Sequence, residues 1–159
     1  MTKKPALIAL LLIILLTIAT AALGAVISGG SDNPWYAGLT KPALTPPDIL
    51  FAIVWPILFA LMALGATLVR IKAGSFRAAS SALGLYFTQL AVNLSWSWLF
   101  FGFQQILLAL IALIALWMLI FAMMRAFGKH SLAATVLQLP YLLWVSFAGY
   151  LNASILLLN

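Results

Sequence analysis

Residues 106–124, ILLALIALIALWMLIFAMM, form an unbroken apolar run whose length suits a lipid bilayer better than the core of a soluble protein. An α-helix needs about 20 apolar residues to cross the hydrocarbon layer. Gln104 and Gln105 precede the run and Arg125 follows it, so polar residues mark both of its ends. The run therefore predicts a membrane-spanning helix.

The same composition extends over the whole chain. Of its 159 residues, 66% are hydrophobic and 6% are charged, whereas a typical soluble domain is about 25% charged. Because the apolar runs are continuous, a membrane β-barrel, in which apolar and polar residues alternate, is excluded. The sequence predicts an all-α integral membrane protein, a five-transmembrane-helix bundle that forms one domain over residues 1–159. The predicted spans are residues 5–28, 49–69, 78–100, 106–124 and 132–158.

Charged residues at the ends of these spans indicate how the chain is inserted. Positive residues concentrate on the cytoplasmic side of membrane proteins. Of the eight basic residues, Lys41 falls on one side of the membrane and all the others fall on the side that carries the N-terminus. We therefore expect a prokaryotic cytoplasmic membrane, with the N-terminus cytoplasmic and the C-terminus outside. The other basic residues are Lys3, Lys4, Arg70, Lys72, Arg77, Arg125 and Lys129.

Several classes of protein are disfavoured by what the sequence lacks. It has no cysteine, one histidine (His130) and two acidic residues (Asp32 and Asp48), so no metal site is expected. No charged residue lies near the middle of a span, where an ion-coupled transporter normally needs one. The basic residues form no cluster interleaved with aromatic residues, so nucleic acid is not an expected partner. No obligatory cofactor is expected either.

The longest predicted loop, residues 29–48, contains four prolines. Proline fixes the backbone φ angle and removes an amide donor, so we expect neither a helix nor a flexible linker in this loop. Trp35 and Tyr36 leave two interpretations open. In one, their rings form a lid over a cavity; in the other, they anchor the loop at the membrane interface beside Lys41. The prolines are Pro34, Pro42, Pro46 and Pro47.

Polar and aromatic residues share one face in each of three predicted spans. In the third and fifth spans they recur three or four residues apart, and Trp55 and Phe59 share a face of the second. In one interpretation these faces surround an aromatic cavity, in which Asn93 or Gln89 orients a flat ligand. In the other, the amides only bond neighbouring helices. The residues are Tyr86, Gln89, Asn93, Trp96 and Phe100 in the third span, and Tyr141, Trp144, Ala148 and Asn152 in the fifth.

Two other features bear on how the helices pack. Pro56 and Pro140 lie inside predicted spans, and each predicts a kink. Thr20, Gly24 and Ser28 form a ridge of small residues that permits close approach of another helix. The ridge could serve dimerisation or packing within the chain, and the sequence does not choose between them.

Three stretches of the chain, taken together, resemble a known family. They are Trp35-Tyr36-Ala37-Gly38-Leu39-Thr40-Lys41-Pro42 with Pro46-Pro47 and Trp55; Gln89-Leu90-Ala91-Val92-Asn93 with Trp96 and Phe100-Phe101-Gly102; and Pro140-Tyr141-Leu142-Leu143-Trp144 with Phe147-Ala148 and Leu151-Asn152. In content and order they are similar to the tryptophan-rich sensory proteins of the TspO/MBR family. These are the bacterial relatives of the mitochondrial translocator protein, or peripheral benzodiazepine receptor.

The resemblance implies a five-helix bundle, commonly a homodimer, in which residues 29–48 close over a pocket as a lid. It implies a membrane receptor or sensor that binds protoporphyrin IX, related tetrapyrroles and similar flat hydrophobic molecules, in tetrapyrrole homeostasis or stress response. Matching motif to motif, the implied ligand-binding residues are Tyr36, Pro47, Trp55, Phe59, Asn93, Trp96, Trp144 and Ala148.

Two alternative functions follow from the same resemblance. One is light-dependent porphyrin degradation, which in some bacterial members is linked to the tryptophans that match Trp55 and Trp144. The other is uncoupled transport of hydrophobic solutes. The sequence also departs from the family: Phe59 stands where relatives often have tyrosine, and no Lys or Arg follows Tyr150. The sterol motif proposed for animal members is therefore missing, and sterol binding is not expected.

Overall fold

The computed structural model describes residues 3–159, except the side chains of residues 3–6 and of Ser31. The side chains of Lys3 and Lys4, on which part of the predicted orientation depends, thus lie outside the described residues. The described backbone contains helices and connecting segments, and no β-strand.

The first helix, α1, extends over Lys3–Ser28. Thr17 and Thr20 are buried on the side that faces the bundle. A Cβ atom added to Gly24 would lie 3.6 Å from the Ser97 Oγ, an ordinary contact distance. The ridge of small residues in α1 therefore packs within the chain, which was one of the two possibilities left open by the sequence.

The connection after α1 contains two short helical pieces, a 3-10 turn at Gly30–Asp32 and α2 at Pro34–Gly38. The Oδ1 atom of Asn33 caps α2 by accepting a hydrogen bond of 3.0 Å from the Tyr36 amide. The prediction that this loop contains no helix was wrong at α2. Proline disrupts the interior of a helix, but in the first turn its missing amide would have had no helical partner in any case.

The next helix, α3, extends over Asp48–Lys72 and continues past the predicted end at residue 69. Pro56 lies inside it, as expected. The following helix, α4, is Ser80–Ser97, and a π-helical turn continues it over Trp98–Gly102. Such turns contain an extra residue and are frequent at functional sites. Gly102 is required in this turn, because a Cβ atom there would lie 2.7 Å from the Trp98 ring.

The remaining helices are α5 at Ile106–Gly128, α6 at Leu132–Val136 and α7 at Leu139–Leu158. The single helix predicted for residues 132–158, with a kink at Pro140, is therefore interrupted just before Pro140. Pro140 lies in the first turn of α7, where a missing amide removes no helical hydrogen bond. The α5 helix also runs past its predicted end at residue 124.

Within the described residues, four helical segments are long and apolar enough to cross a membrane. The predicted third span, now α4, is not among them, because amide and hydroxyl side chains such as those of Gln89, Asn93 and Ser97 reduce its apolarity. The four are Leu7–Ser28, Asp48–Lys72, Ile106–Gly128, and Leu132–Leu158, which takes α6 and α7 together.

The buried core is not uniform along the bundle. A large cluster joins α1, α3, α4, α5 and α7, and it includes Met62, Tyr86 and Leu116, all fully buried. A smaller cluster around Phe100 and Ile155 packs against the loop between α1 and α3. We call the end of the bundle that carries this loop the loop end. The site described next opens there.

Candidate functional site

A cavity of about 700 Å³ lies at the loop end of the bundle. Its walls come from α1, α3, α4 with its π-helical turn, and α7, and Tyr36 of α2 adds to them. Ligand pockets typically measure about 300–1,000 Å³ and have mainly apolar walls with a few polar groups. This cavity has that size and character.

The structure gathers most of the residues that the sequence singled out around this cavity. The pocket wall includes Tyr36, Trp55, Phe59, Asn93, Trp96 and Ala148. Pro47 and Trp144 do not line it. Pro47 is exposed immediately before α3, and Trp144 lies on α7 behind the wall.

Three aromatic rings form a stack along one wall. The Trp55 and Trp96 rings are 6.3 Å apart between centroids, with an interplanar angle of 29°. Trp96 and Phe100 are 5.9 Å apart at 28°. Since the ridges of α3 and α4 bring these rings nearly parallel, the wall offers flat aromatic surface to a flat ligand.

The amides in α4 divide between the two roles that the sequence left open. Tyr141 on α7 donates a 2.7 Å hydrogen bond to the Gln89 Oε1 atom and accepts a 2.9 Å bond from the Asn93 Nδ2 atom. Gln89 is fully buried and is not part of the cavity wall, so it joins helices. Asn93 does line the cavity, and none of the described residues donates a hydrogen bond to its Oδ1 atom. That oxygen is therefore a candidate acceptor for a ligand.

The amide of Asn152 holds one of the stacked rings in place. Its Oδ1 atom accepts a 3.3 Å hydrogen bond from the Trp96 indole nitrogen, and its Nδ2 atom donates a 2.9 Å bond to the Ile106 carbonyl oxygen. Both polar atoms of the amide are thus occupied within the protein. Asn152 therefore positions Trp96, which lines the cavity.

Trp144 closes the wall from behind. Its ring packs edge-on against Phe51 of α3, with the centroids 5.6 Å apart, and Phe51 itself lines the cavity. The Trp144 indole nitrogen is buried and has no hydrogen-bond partner among the described residues. A sequence motif cannot show this. Helical spacing predicts the face on which a residue lies, but not whether its ring reaches the cavity.

The loop between α1 and α3 covers one side of the cavity. The Trp35 ring lies 5.3 Å from that of Phe100, and the Tyr36 ring lies 5.6 Å from that of Phe101. These edge contacts place α2 over the end of α4. The π-helical turn contributes to this arrangement by bringing both Phe100 and Phe101 to the cavity wall.

A second contact ties the same loop to α7. The Thr40 amide donates a 2.9 Å hydrogen bond to the Asn159 Oδ1 atom, and the Asn159 Nδ2 atom donates a 2.9 Å bond to the Thr40 carbonyl oxygen. The side-chain amide thereby pairs with both the backbone N–H and the backbone C=O of Thr40. Nothing in the sequence pattern indicated Asn159, because it lies 119 positions from Thr40.

Two charged side chains lie beside Tyr36 at the cavity mouth. The Lys41 ammonium group is 4.5 Å from the centre of the Tyr36 ring, a cation–π distance. Burial raises the pKa of the Tyr36 phenol, and the negative charge of Asp48 raises it further. The phenol therefore stays neutral at physiological pH and can donate a hydrogen bond.

Several wall residues were not predicted from the sequence. Some of them could have been predicted from residue spacing. Ser97 continues the polar face of α4, and Leu151 and Ile155 continue the face of α7 beyond Ala148. The wall residues of α1 are Ala21, Gly24, Ala25 and Ser28. Gly24 and Ser28 belong to the ridge of small residues noted in the sequence, whereas Ala21 and Ala25 had no signal, because α1 is almost uniformly apolar.

Comparisons with known proteins agree with the motifs. Residues 9–158 match the profile of the TspO/MBR family. The chain is 43% identical to the tryptophan-rich protein TspO of Chlorobaculum tepidum, covering 79% of each chain. It is 39% identical to the protein of the same name from Archaeoglobus fulgidus, covering 92% of this chain and 94% of that one. It is also 39% identical to the translocator protein of Bos taurus, covering 82% of this chain and 78% of the bovine one. Since the family profile extends over nearly the whole sequence and these relatives match most of it, this membrane protein belongs to the TspO/MBR family.

Proposed function

We propose that this protein is a membrane receptor or sensor that binds protoporphyrin IX and similar flat hydrophobic molecules, in tetrapyrrole homeostasis or stress response. The observation that carries the proposal is the stack of Trp55, Trp96 and Phe100 along a cavity of about 700 Å³. A conjugated macrocycle gains both apolar burial and offset stacking against such a wall. Carriers of ions or strongly polar solutes need charged or densely polar sites, which this wall does not offer.

The cavity also favours one orientation of such a ligand. Its deep wall is uncharged, with the Asn93 Oδ1 atom as a free acceptor, and its charged neighbours Lys41 and Asp48 lie at the loop end. Burying a carboxylate without a partner is costly. The propionates of protoporphyrin IX should therefore point to the mouth, while the ring lies against the aromatic stack.

The test is a titration of the purified, nanodisc-embedded protein with protoporphyrin IX, followed by the absorbance of the porphyrin. Trp55→Ala should weaken binding by about ten-fold, since an aromatic contact contributes roughly 0.5–1.5 kcal/mol beyond its area. Trp117→Ala is the matched control, because Trp117 is exposed and stacks on Phe121 away from the cavity. Equal affinities of the Trp55 variant and the wild type would contradict the proposal.

Photo-oxidative porphyrin degradation is the alternative from the enzyme class. Only one of the two tryptophans implicated by the resemblance, Trp55, lines the cavity, whereas Trp144 is separated from it by Phe51. This arrangement favours binding over a reaction that uses both indoles. The relatives named translocator protein keep uncoupled transport as a further possibility, and flux measurements in proteoliposomes distinguish it from binding.

The arrangement in the membrane that we propose has five crossings. What supports it is that α4 packs in the same core as α3 and α5 and is joined to them only by the short connections 73–79 and 103–105. The chain then forms a single membrane domain in a prokaryotic cytoplasmic membrane, with the N-terminus cytoplasmic and the C-terminus outside. A homodimer fits the surface of α4, whose exposed face is a stripe of small residues that allows close helix approach. The stripe consists of Ser81, Gly84, Thr88, Ala91 and Ser95.

A further inference from the structure

The cavity has one edge with exposed wall residues, between the loop-end halves of α1 and α3. Ala25 of α1 and Ala52 and Pro56 of α3 line the cavity and are also exposed on the outside of the molecule. By contrast, residues that line the same cavity from α4 and α7 are buried, such as Asn93 at 4% exposure and Asn152 at 2%. The exposed residues of the wall are thus concentrated on the side of α1 and α3.

The other edges of α1 and α3 are sealed at this level. Gly24 brings α1 against Ser97 of α4, and farther along the helix the hydroxyl groups of Thr17 and Tyr86 share a hydrogen bond. On the far side of α3, Phe51 packs against Trp144 of α7. Toward the opposite end of the bundle, Ile13 of α1 and Met62 of α3 are both buried in the main core cluster.

The loop is fastened to the side opposite this edge. The rings of Trp35 and Tyr36 rest on Phe100 and Phe101, and Thr40 is paired with Asn159 on α7. These contacts hold the loop over α4 and α7. Passage beneath the loop would have to break them, whereas the exposed wall residues Ala25, Ala52 and Pro56 lie between α1 and α3.

In a bilayer that α1 and α3 cross, this edge would face lipid. Pro56 lies about two turns, roughly 12 Å, beyond Asp48 along α3, given a rise of about 1.5 Å per residue. The hydrocarbon layer is about 30 Å thick, so this edge would span a large part of one leaflet. Small side chains and a proline border it, which leaves a slot shaped for a flat molecule entering edge-on.

We infer that the ligand exchanges with the cavity sideways, through a slot between α1 and α3, directly from one leaflet of the bilayer. The slot is bordered by Ala25, Ala52 and Pro56. The inference rests on the proposed function, because it names the route to the same cavity. A ligand that first dissolves in the membrane reaches the site without crossing water, and the closed loop then serves to cover the cavity and not to admit the ligand.

Stopped-flow quenching of tryptophan fluorescence by protoporphyrin IX in phosphatidylcholine nanodiscs tests this route. Ala25→Phe and Ala52→Phe place a ring in the slot, and we expect association and dissociation to slow together by about ten-fold, the effect of a barrier raised by roughly 1.4 kcal/mol. A side chain that only altered binding contacts would act mainly on dissociation. The matched controls are Ala22→Phe and Ala60→Phe, exposed alanines on the same helices that do not line the cavity.

A labelling variant separates blocked exchange from misfolding. Because the chain has no native cysteine, Ala25→Cys can be reconstituted first and then alkylated with a bulky maleimide, with Ala22→Cys as control. Slower exchange after alkylation of Ala25→Cys alone supports the slot. Wild-type rates in the blocked variants, or faster exchange in Asn159→Ala with no effect of blocking, would overturn it. Lack of quenching in the wild-type protein would instead remove the proposed function, and the inference with it.

Discussion

Among the described residues, Asp48 is the one charged residue of the cavity wall. It lies at the mouth of the cavity, where α3 begins. Its carboxylate acts on the nearest phenol, since it contributes to the raised pKa of Tyr36. A ligand whose carboxylates point to the mouth would meet the same negative charge. Lys41, on the other side of Tyr36, has the opposite sign. The charges of Asp48 and Lys41 therefore act in opposite directions on a ligand at the mouth of an otherwise uncharged cavity.

Replacing Asp48 by Asn should tighten the binding of protoporphyrin IX by about two- to five-fold at low salt, because exposed charges interact weakly and are screened. The dimethyl ester of the same porphyrin has no carboxylates, so its affinity should not change. Asp32→Asn is the control, since Asp32 is exposed outside the cavity wall. Equal gains for the acid and the ester would show that charge at the mouth is not the cause.

At the scale of helices, a tight contact at Gly65 joins α3 to the break between α6 and α7. The Gln138 Nε2 atom donates 3.3 Å hydrogen bonds to the carbonyl oxygens of Leu61 and Ala134. A Cβ atom on Gly65 would lie 2.1 Å from that nitrogen and 3.2 Å from the Ala134 oxygen. Gly65 is thus needed for its lack of a side chain, and the contact keeps α3 in register below the cavity.

Gly65→Ala should lower the thermal stability of the protein in detergent, because overpacking a tight contact costs about 1–3 kcal/mol. The control is Gly149→Ala, also inside a helix, where an added Cβ would meet no atom within 4 Å. That change should be neutral or stabilising, since alanine favours a helix over glycine by up to about 1 kcal/mol. The midpoint of thermal unfolding measures both.

A double variant checks the cause. If the clash with Gln138 is responsible, Gln138→Ala should recover part of the stability lost in Gly65→Ala, which a double-mutant cycle would register as coupling. Strictly additive effects of the two substitutions would point to another origin.

For the whole molecule, the decisive question is on which side of the membrane each connection lies. The four helical segments that satisfy length and apolarity do not include α4, so the number of crossings depends on that helix. Because the native chain has no cysteine, single cysteines report their side of the membrane without background. The sites need to be exposed and to lie in separate connections.

With five crossings and a cytoplasmic N-terminus, Leu44→Cys and Gln104→Cys should react with an impermeant maleimide on intact bacterial cells. Ser75→Cys and Lys129→Cys should react only after the cells are permeabilised. All four positions are exposed. The reverse pattern would contradict the orientation, and labelling of position 104 together with position 75 would show that α4 does not cross.

Much of the candidate site could be predicted, because the spacing of residues in a helix determines which face of the helix they lie on. The spacing of Asn93, Trp96 and Phe100 put them on one side of α4, and the structure places all three on the cavity wall. The spacing does not show whether a side chain on that face reaches the cavity. Gln89 shares the same spacing but ends in a hydrogen bond to Tyr141, and Trp144 ends behind Phe51.

The sequence by itself determined the helical, membrane-embedded class of this protein, its family and most of the aromatic wall, since apolar run length and residue spacing are local properties of the chain. Tertiary structure alone decided which amides form hydrogen bonds between helices, how Asn159 fastens the loop, and which wall residues of α1 and α3 are exposed. These depend on distances between residues far apart in sequence, which are set by how whole helices pack. No local pattern contains that information.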